Sequence, residues 1–419
     1  THKGLLALSL PIKAELPEEV RQAIRSADNP DQLAEALRQT LDLEVSLLVG
    51  DEETPVDVIR DSILLQPRGV MEFVSTGGSA SSDTTAWLEL TASPESPWIM
   101  EILIGPTVEQ SLSDILFGSS QRFLPPCGEG SSLLERTTSD LMAAVALQNY
   151  LKVISSSSGE VAQMLDNRIR AAVSTLVATQ NKDGGWTWSG ARKMRVGTGE
   201  VDVVSHPESS ARAFWAISLA RQAGYAVPQA TYDNAIQYLE KAITQVRADD
   251  MEIRSVLVHA LALAQRADFA LVNRLHRERQ SLSLAAKLYL GLTLAIMQRQ
   301  PMAAEVLKLV DFSNAEKTPL AESQRSVALS LGEAHALLAT VLQTISPESP
   351  QLATEIDWLL SHRAGHRWLP DRATGPAALV LGQWFARTRF TDEKYRLTVF
   401  VNDFQVGQFD FDQTAVSQS

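Results

Sequence analysis

The chain has 419 residues, 45% of them hydrophobic and 21% charged, a composition typical of a globular protein that buries a sizeable core. Acidic residues outnumber basic ones by 50 to 37, and the formal net charge of −13 argues against binding to the phosphate backbone of nucleic acids or insertion at an anionic membrane surface. The single cysteine excludes a disulfide within the chain, and no apolar run approaches the ~20 residues that span a bilayer.

Length predicts two or three domains, at roughly 150 residues for each. The sequence starts at Thr1 without a methionine or an apolar leader, so we expect it to be a piece of a longer polypeptide. We divide it into a β-rich segment over residues 1–105, a helical domain over 106–390 and a return to strands over 391–419.

The β-rich segment opens with two stretches of helical spacing, residues 16–25 and 30–38, each with a proline near its start. Short runs rich in β-branched and aromatic residues follow, separated by Pro, Gly, Ser and Asp. These runs predict strands over residues 44–49, 62–66, 70–74, 86–90 and 98–104. Their spacing suits an antiparallel sandwich.

From Thr107 the apolar period changes from two to about three and a half, which is typical of helices that bury one face. About a dozen helices are predicted in succession. They cover residues 107–117, 131–153, 160–180, 207–224, 229–246, 250–266, 268–280, 282–299, 301–310, 319–345, 350–362 and 373–388. Short connections indicate antiparallel hairpins, and an even number of hairpins can close into an α/α barrel or toroid.

The loop before the second of these helices contains the only cysteine, in the order Cys127, Gly128, Glu129, Gly130. It resembles, over three positions, the Cys-Gly-Glu-Gln loop with which the α2-macroglobulin and complement family forms an internal thioester at the start of a helical domain. In that family the Cys thiolate condenses with the Gln side chain three residues later, and a target amine or hydroxyl then attacks the carbonyl. Here the fourth position is Gly130, which has no acyl group, so we expect no thioester.

A second motif follows the next predicted helix, where Gln180, Asp183, Gly184, Gly185 and Trp186 form a helix-to-turn pattern. Asp-Gly-Gly suits a turn with a positive φ, and the tryptophan can fold back over the helix end. The pattern resembles the Gln-to-Trp turn of α/α-toroid proteins, which include terpene cyclases, prenyltransferase β subunits and thioester domains. We interpret these five residues as a structural turn.

Three further stretches resemble bacterial members of the α2-macroglobulin family. Residues 209–239 are similar to the helix pair after the Gly-Gly-Trp turn, and residues 358–387 to the last toroid hairpin. Residues 395–411 alternate as two strands around Asn402 and Asp403. The resemblance covers about residues 60–412 and implies a mainly α fold, an α/α toroid inserted in or flanked by an antiparallel β-sandwich of the CUB type. Residues 1–60 match nothing in that pattern.

Other chemical groups are weaker candidates. A thiol just ahead of a helix can be activated, but a packed remnant thiol is the simpler interpretation of Cys127. Direct closure of Cys127 on Glu129 would need a tighter ring and a poor electrophile. The histidines considered as ligands or bases are His206, His259, His335, His362 and His366. His362 and His366 have the i, i+4 spacing of metal ligands, yet Gly365 interrupts the helix.

Asp183, Glu200 and Asp202 could be paired carboxylates of an α/α-barrel glycosidase, although solvated loop charges fit their Gly- and Lys-rich context better. We therefore expect no catalytic residue, no metal and no cofactor.

The resemblance implies a fragment of a bacterial, extracytoplasmic defence protein that traps proteases by conformational change, with proteases or other domains of the same polypeptide as partners. Two alternatives stay open. One is an α/α-barrel enzyme acting on an isoprenoid or a polysaccharide, which a deep central cavity would favour and a filled centre would disfavour. The other is an interaction scaffold that undergoes no change triggered by proteolysis.

Overall fold

The chain is described by a computed structural model, and its two compact units are treated separately. Structural statements below concern the described residues, which are 19, 22, 26, 39–47, 57–65, 76, 83–87, 102, 112, 113, 115, 116, 133–154, 159–190, 193–196, 199–312, 329–364, 366–387, 395–401 and 403–411. The first unit comprises Thr1–Glu72, Leu90–Ile102 and Ser119–Pro125. The second comprises Phe73–Glu89, Leu103–Gly118 and Pro126–Ser419.

The first unit contains an antiparallel hairpin. Strand β1 (Gln39–Leu47) pairs with β2 (Asp57–Leu65), from Gln39 opposite Leu65 to Leu47 opposite Asp57. These strands overlap the predicted strands over 44–49 and 62–66 but begin five residues earlier in each case. Of the predicted helix over 16–25, Glu19 and Gln22 are described and are helical.

Helices dominate the second unit, and the expectation of a mainly α fold is confirmed. In chain order they are α1 (Leu133–Ile154), α2 (Gly159–Thr179), α3 (Pro207–Gln222), α4 (Gln229–Gln245), α5 (Met251–Leu263), α6 (Phe269–Arg277), α7 (Leu284–Ile296), α8 (Gln300–Leu307), α9 (Leu331–Ile345), α10 (Pro350–Ser361) and α11 (Thr374–Arg387). A 3-10 turn, Asp371–Ala373, precedes α11.

Six of these helices form a closed ring. Their order is α1, α3, α5, α7, α9 and α11, and α11 returns to pack on α1. The other five lie outside it, each across two neighbours: α2 on α1 and α3, α4 on α3 and α5, α6 on α5 and α7, α8 on α7 and α9, and α10 on α9 and α11. This alternation of inner and outer helices is the arrangement of an α/α toroid.

Burial patterns follow from this arrangement. In α7 every residue from Leu288 to Ala295 is buried, because an inner helix contacts neighbours on several sides. In the outer helix α2 the buried residues recur at one face, at Leu165, Ile169, Ala172, Val173 and Leu176. The two patterns distinguish inner from outer helices in the sequence.

The ring closes by a close approach of α11 to α1. A Cβ added at Gly375 would lie 3.0 Å from the Cα of Ser139 and 2.9 Å from the sulfur of Met142. Only a residue without a side chain therefore fits at this position, and the two backbones approach closely.

Some sequence predictions are corrected. The helix predicted over 319–345 begins at Leu331, because Ser330 caps it by accepting a hydrogen bond from the Glu333 N–H at 3.2 Å; residues 313–328 lie outside the described part. Ala86, Trp87 and Ile102, placed in predicted strands, belong to no strand. A tryptophan on the inner face of a sandwich strand would have a buried ring, whereas Trp87 is 85% exposed.

Two further hairpins complete the description. Strand β3 (Lys193–Val196) pairs with β4 (Gly199–Asp202), a hairpin that the sequence analysis missed. Strand β5 (Tyr395–Val401) pairs with β6 (Phe404–Phe411) as predicted, and Asp403 in the turn has a φ of +69°.

Candidate functional site

The loop of Cys127, Gly128, Glu129 and Gly130 lies outside the described residues, so its geometry stays a prediction. In the sequence it ends just before α1, which begins at Leu133. The N-terminal end of α1, and the centre of the ring beside it, are therefore the parts of the described structure that bear on this site.

The turn after α2 is a dense hydrogen-bond arrangement. The side chain of Gln180 donates to the backbone oxygens of Gly184 and Thr231, both at 2.9 Å. Thr231 belongs to α4, so Gln180 ties the end of one outer helix to the start of the next. Gly184 has a φ of +91°, and a Cβ there would lie 2.3 Å from the backbone oxygen of Asn234.

Asp183 acts within this turn as an acceptor. Its Oδ1 accepts from the Gly185 N–H at 3.1 Å and from the Ser205 hydroxyl at 2.7 Å. Asp202, on β4, instead pairs with Lys182 at 2.8 Å on the surface. Asp183 and Asp202 thus have separate structural partners, and the side chain of Glu200, the third carboxylate considered for a glycosidase, lies outside the described part of the chain.

Trp186 is fully buried and its indole N–H donates to the Leu176 backbone oxygen at 2.8 Å, in the last turn of α2. Its backbone N–H donates to the hydroxyl of Ser210, which lies at the start of α3, at 2.8 Å. The tryptophan therefore closes the end of an outer helix and binds the beginning of the next inner helix.

The same arrangement recurs before α11. Trp368 donates its indole N–H to the Leu359 backbone oxygen at 3.0 Å, in the last turn of α10, and its backbone N–H to the Thr374 hydroxyl at 3.2 Å. The sequence analysis missed this second tryptophan turn because it lacks the Gly-Gly pair. A Trp that follows an outer helix and precedes a Ser or Thr at an inner-helix start is the signal that could have identified it.

A buried polar cluster occupies the centre of the ring. Arg212 on α3 forms a salt bridge with Glu333 on α9, a helix on the opposite side of the ring. Arg212 also donates to the Arg372 backbone oxygen at 3.2 Å and to the Tyr289 hydroxyl at 3.4 Å. Glu333 is completely buried, so this ion pair bridges the centre between α3 and α9.

Arg372 extends the cluster to the first helix. Its guanidinium lies 3.1 Å from a Glu333 oxygen and 3.9 Å from Glu135 on α1. Glu135 and Glu333 lie in the first turns of their helices, where the helix dipole favours a negative charge. The cluster consequently sits at the N-terminal end of the inner helices.

The electrostatics of the cluster favour fixed protonation states. Burial alone would lower the pKa of Arg212, but the adjacent Glu333 outweighs burial and holds that pKa above its ordinary value. Burial raises the pKa of Tyr289, and burial together with the charge of Arg212 lowers the pKa of His259 to about 3. At neutral pH the cluster therefore holds a charged arginine, a protonated tyrosine and a neutral histidine.

His259 belongs to the same region through its aromatic contacts. Its ring meets that of Trp215 edge-on at 5.0 Å and lies 5.5 Å from that of Tyr289. These side chains come from α3, α5 and α7, three successive inner helices. The charged and aromatic side chains at the ring centre contact one another. Side chains paired in this way are better suited to stabilising the ring than to reacting with a substrate.

The remaining candidate histidines are dispersed. His335 on α9 is buried, bonds to Glu355 and stacks between Phe312 and Trp358, whose ring centroids lie 4.1 and 3.7 Å away. His362 is exposed and stacks on the other side of Trp358. His366 is buried, and His206 lies 3.9 Å from Glu208 at the start of α3. Within the described part of the chain no group of three or more His, Cys, Asp or Glu side chains could hold a metal ion.

The sequence analysis did not select Arg212, Glu333, Arg372, Tyr289 or Glu135. The available signal was a charged residue inside a helix and next to apolar residues in the sequence, as Arg212 is beside Ala211, Ala213 and Phe214. Such a charge needs a buried partner. The partner itself could not be identified, because Glu333 is 121 positions away.

The chain is similar in fold to solved structures of bacterial α2-macroglobulins. The α2-macroglobulin of Salmonella reacted with methylamine is 16% identical, has a TM-score of 0.53 and matches 91% of this chain and 25% of that one. The native conformation of Escherichia coli α2-macroglobulin is also 16% identical, with a TM-score of 0.54 over 89% of this chain and 23% of that one. The E. coli structure that spans domain MG7 to the C-terminus is 16% identical and has a TM-score of 0.53. The match covers 89% of this chain and 57% of that one.

The chain thus spans about a quarter of the longer solved chains that it matches. No model of a protein family matches the sequence, and no curated protein matches it. No helix in the described ranges is long and apolar enough to cross a membrane. At this level of identity the likeness concerns the fold, and the fold of this chain is a mainly α one related to that of the bacterial α2-macroglobulins.

Proposed function

We propose that this chain is the toroid segment of a bacterial α2-macroglobulin-like protein that traps proteases by conformational change and does not acylate its targets. The observation that carries the proposal is the closed ring of six inner helices, similar in fold to bacterial α2-macroglobulins, combined with Gly130 at the position of the acyl donor. The fold suggests the trap, and the glycine suggests that the trap is not covalent.

The chemical argument rests on residue 130. A thioester forms between a thiolate and a side-chain acyl group, and glycine has no side chain. The neighbouring Glu129 stands where the family carries a glutamate in addition to its glutamine, so it is not a spare acyl donor. Cys127 is therefore proposed to stay a thiol. Physical enclosure of a protease needs no covalent bond, so the loss of the thioester is compatible with trapping.

The ring centre supports a non-enzymatic role. An α/α-barrel enzyme needs an accessible central chamber for its isoprenoid or polysaccharide substrate. In this chain the Arg212–Glu333 pair bridges opposite helices at the N-terminal end of the ring, and the groups around it are engaged with one another. This is a reason to prefer the trap over the barrel enzyme.

The partners and the location follow from the proposal. The partners are proteases and other domains of the same polypeptide, and the net charge of −13 disfavours nucleic acids. A protease trap acts where foreign proteases arrive, so we place the protein outside the cytoplasm, in the periplasm, at the cell surface or secreted. The proposed activity requires no cofactor.

Protease protection tests this function. The full-length protein is incubated with an active protease, and residual activity is measured with a small peptide substrate and with a large protein substrate. A trap predicts that peptide hydrolysis persists while hydrolysis of the large substrate falls at least tenfold, because the enclosed protease admits only small molecules.

The control is the same protease with its nucleophile inactivated, which cannot cut and so cannot trigger closure. A trap captures the active protease and leaves the inactivated one free in size-exclusion chromatography. Equal binding of both forms would instead support the interaction scaffold, and equal loss of both substrates would contradict enclosure.

A further inference from the structure

We draw no further inference here: the strongest candidate, the surface with the exposed apolar side chains of Leu133, Trp188, Val204 and Leu369 where the chain enters helices α1, α3 and α11, carries no proposal because nothing in the described part of the chain shows what covers it.

Discussion

At the scale of single residues, Gly184 combines two constraints that are separable by experiment. Its φ is +91°, and a Cβ would lie 2.3 Å from the Asn234 backbone oxygen. Gly224 shares the positive φ, at +95°, but a Cβ there would meet nothing within 4 Å. The pair allows the cost of strain to be distinguished from the cost of a clash.

We expect Gly184→Ala to lower the free energy of unfolding by about 3 kcal/mol or more, since the backbone of the turn must shift. Gly224→Ala should cost only about 1 kcal/mol, the cost of a left-handed conformation without a clash. Urea unfolding followed by circular dichroism measures both values. Equal losses would contradict the close contact with α4.

The Arg212–Glu333 pair makes a second residue-scale prediction. Arg212→Met leaves a completely buried carboxylate with Arg372 as its remaining cationic partner, and it should cost about 3 kcal/mol. The double variant Arg212→Met, Glu333→Gln should be more stable than the sum of the two single losses predicts. The control is Arg247→Met. Arg247 pairs with Asp249 and both side chains are exposed to solvent, so this variant should change the free energy of unfolding by less than about 1 kcal/mol. Strict additivity in the double variant would contradict the pair.

His259 links stability to pH. Burial lowers its pKa in the folded state to about 3, whereas the unfolded chain has the ordinary value near 6.5, so the unfolded state binds more protons between these values. Stability should consequently fall as the pH drops below about 6.5, by up to about 1.4 kcal/mol per pH unit from this residue.

Urea unfolding of wild type and His259→Phe between pH 7 and pH 5 measures this contribution. The phenylalanine keeps the ring contacts with Trp215 and Tyr289 but does not titrate, so its stability should depend less steeply on pH. Identical slopes for wild type and His259→Phe would refute the assignment.

At the scale of helices, three inner helices end in the same way. Gly224, Gln265 and Gln298 follow α3, α5 and α7 with φ values of +95°, +59° and +59°. The N–H of the next residue bonds back to the carbonyl of the last helical turn in each case, from Tyr225 to Ala220, Arg266 to Leu261 and Arg299 to Leu294, at 3.0, 2.8 and 2.8 Å. This is the Schellman motif, which favours glycine at the left-handed position.

Two of the three positions carry glutamine, and replacing them should stabilise the protein. We expect Gln265→Gly and Gln298→Gly each to raise the free energy of unfolding by about 0.5–1 kcal/mol, because glycine adopts positive φ without strain. Gln222→Gly, at an exposed helical position in the last turn of α3, should instead lower it by a similar amount. Destabilisation by all three substitutions would contradict the assignment of the caps.

Apart from the start of α9, the sequence predicted the bounds of α1 to α11 to within a few residues because their determinants are local. The N-terminal caps are Asp250, Asp268, Ser283 and Ser330, and each accepts a hydrogen bond from a backbone N–H of the first turn. Hairpin β3–β4 was missed because each of its strands has only four residues, the shortest length at which alternation of polar and apolar residues can indicate a strand. The Arg212–Glu333 pair was missed because helix periodicity does not indicate which residues meet across a ring.

At the scale of the whole molecule, the ring determines how the chain is held together. Helices α1 and α11 lie far apart in the sequence yet pack closely through Gly375, and Arg367 adds a buried polar contact at the same junction. Closure of the ring therefore depends on long-range contacts that form only when nearly all helices are in place. This fits a toroid whose helices move together, as the proposed function requires.

The proposed function depends on the toroid and on Gly130, which has no side chain at the position of the acyl donor. The fold related to bacterial α2-macroglobulins suggests a trap, and Gly130 removes the group from which a thioester would be made. The polar tie across the ring centre is then a structural feature of the toroid, and we expect Cys127 to stay a thiol that serves in packing or contact.

The reaction with methylamine tests the central claim most directly. The intact mass of the protein is measured before and after methylamine, and the thiol of Cys127 is titrated in urea with a fast reagent, its position verified by peptide mapping. The account predicts a free Cys127 thiol in equal amount in both samples and no gain of mass. A Cys127 thiol that appears only after methylamine, together with one methylamine adduct, would contradict it.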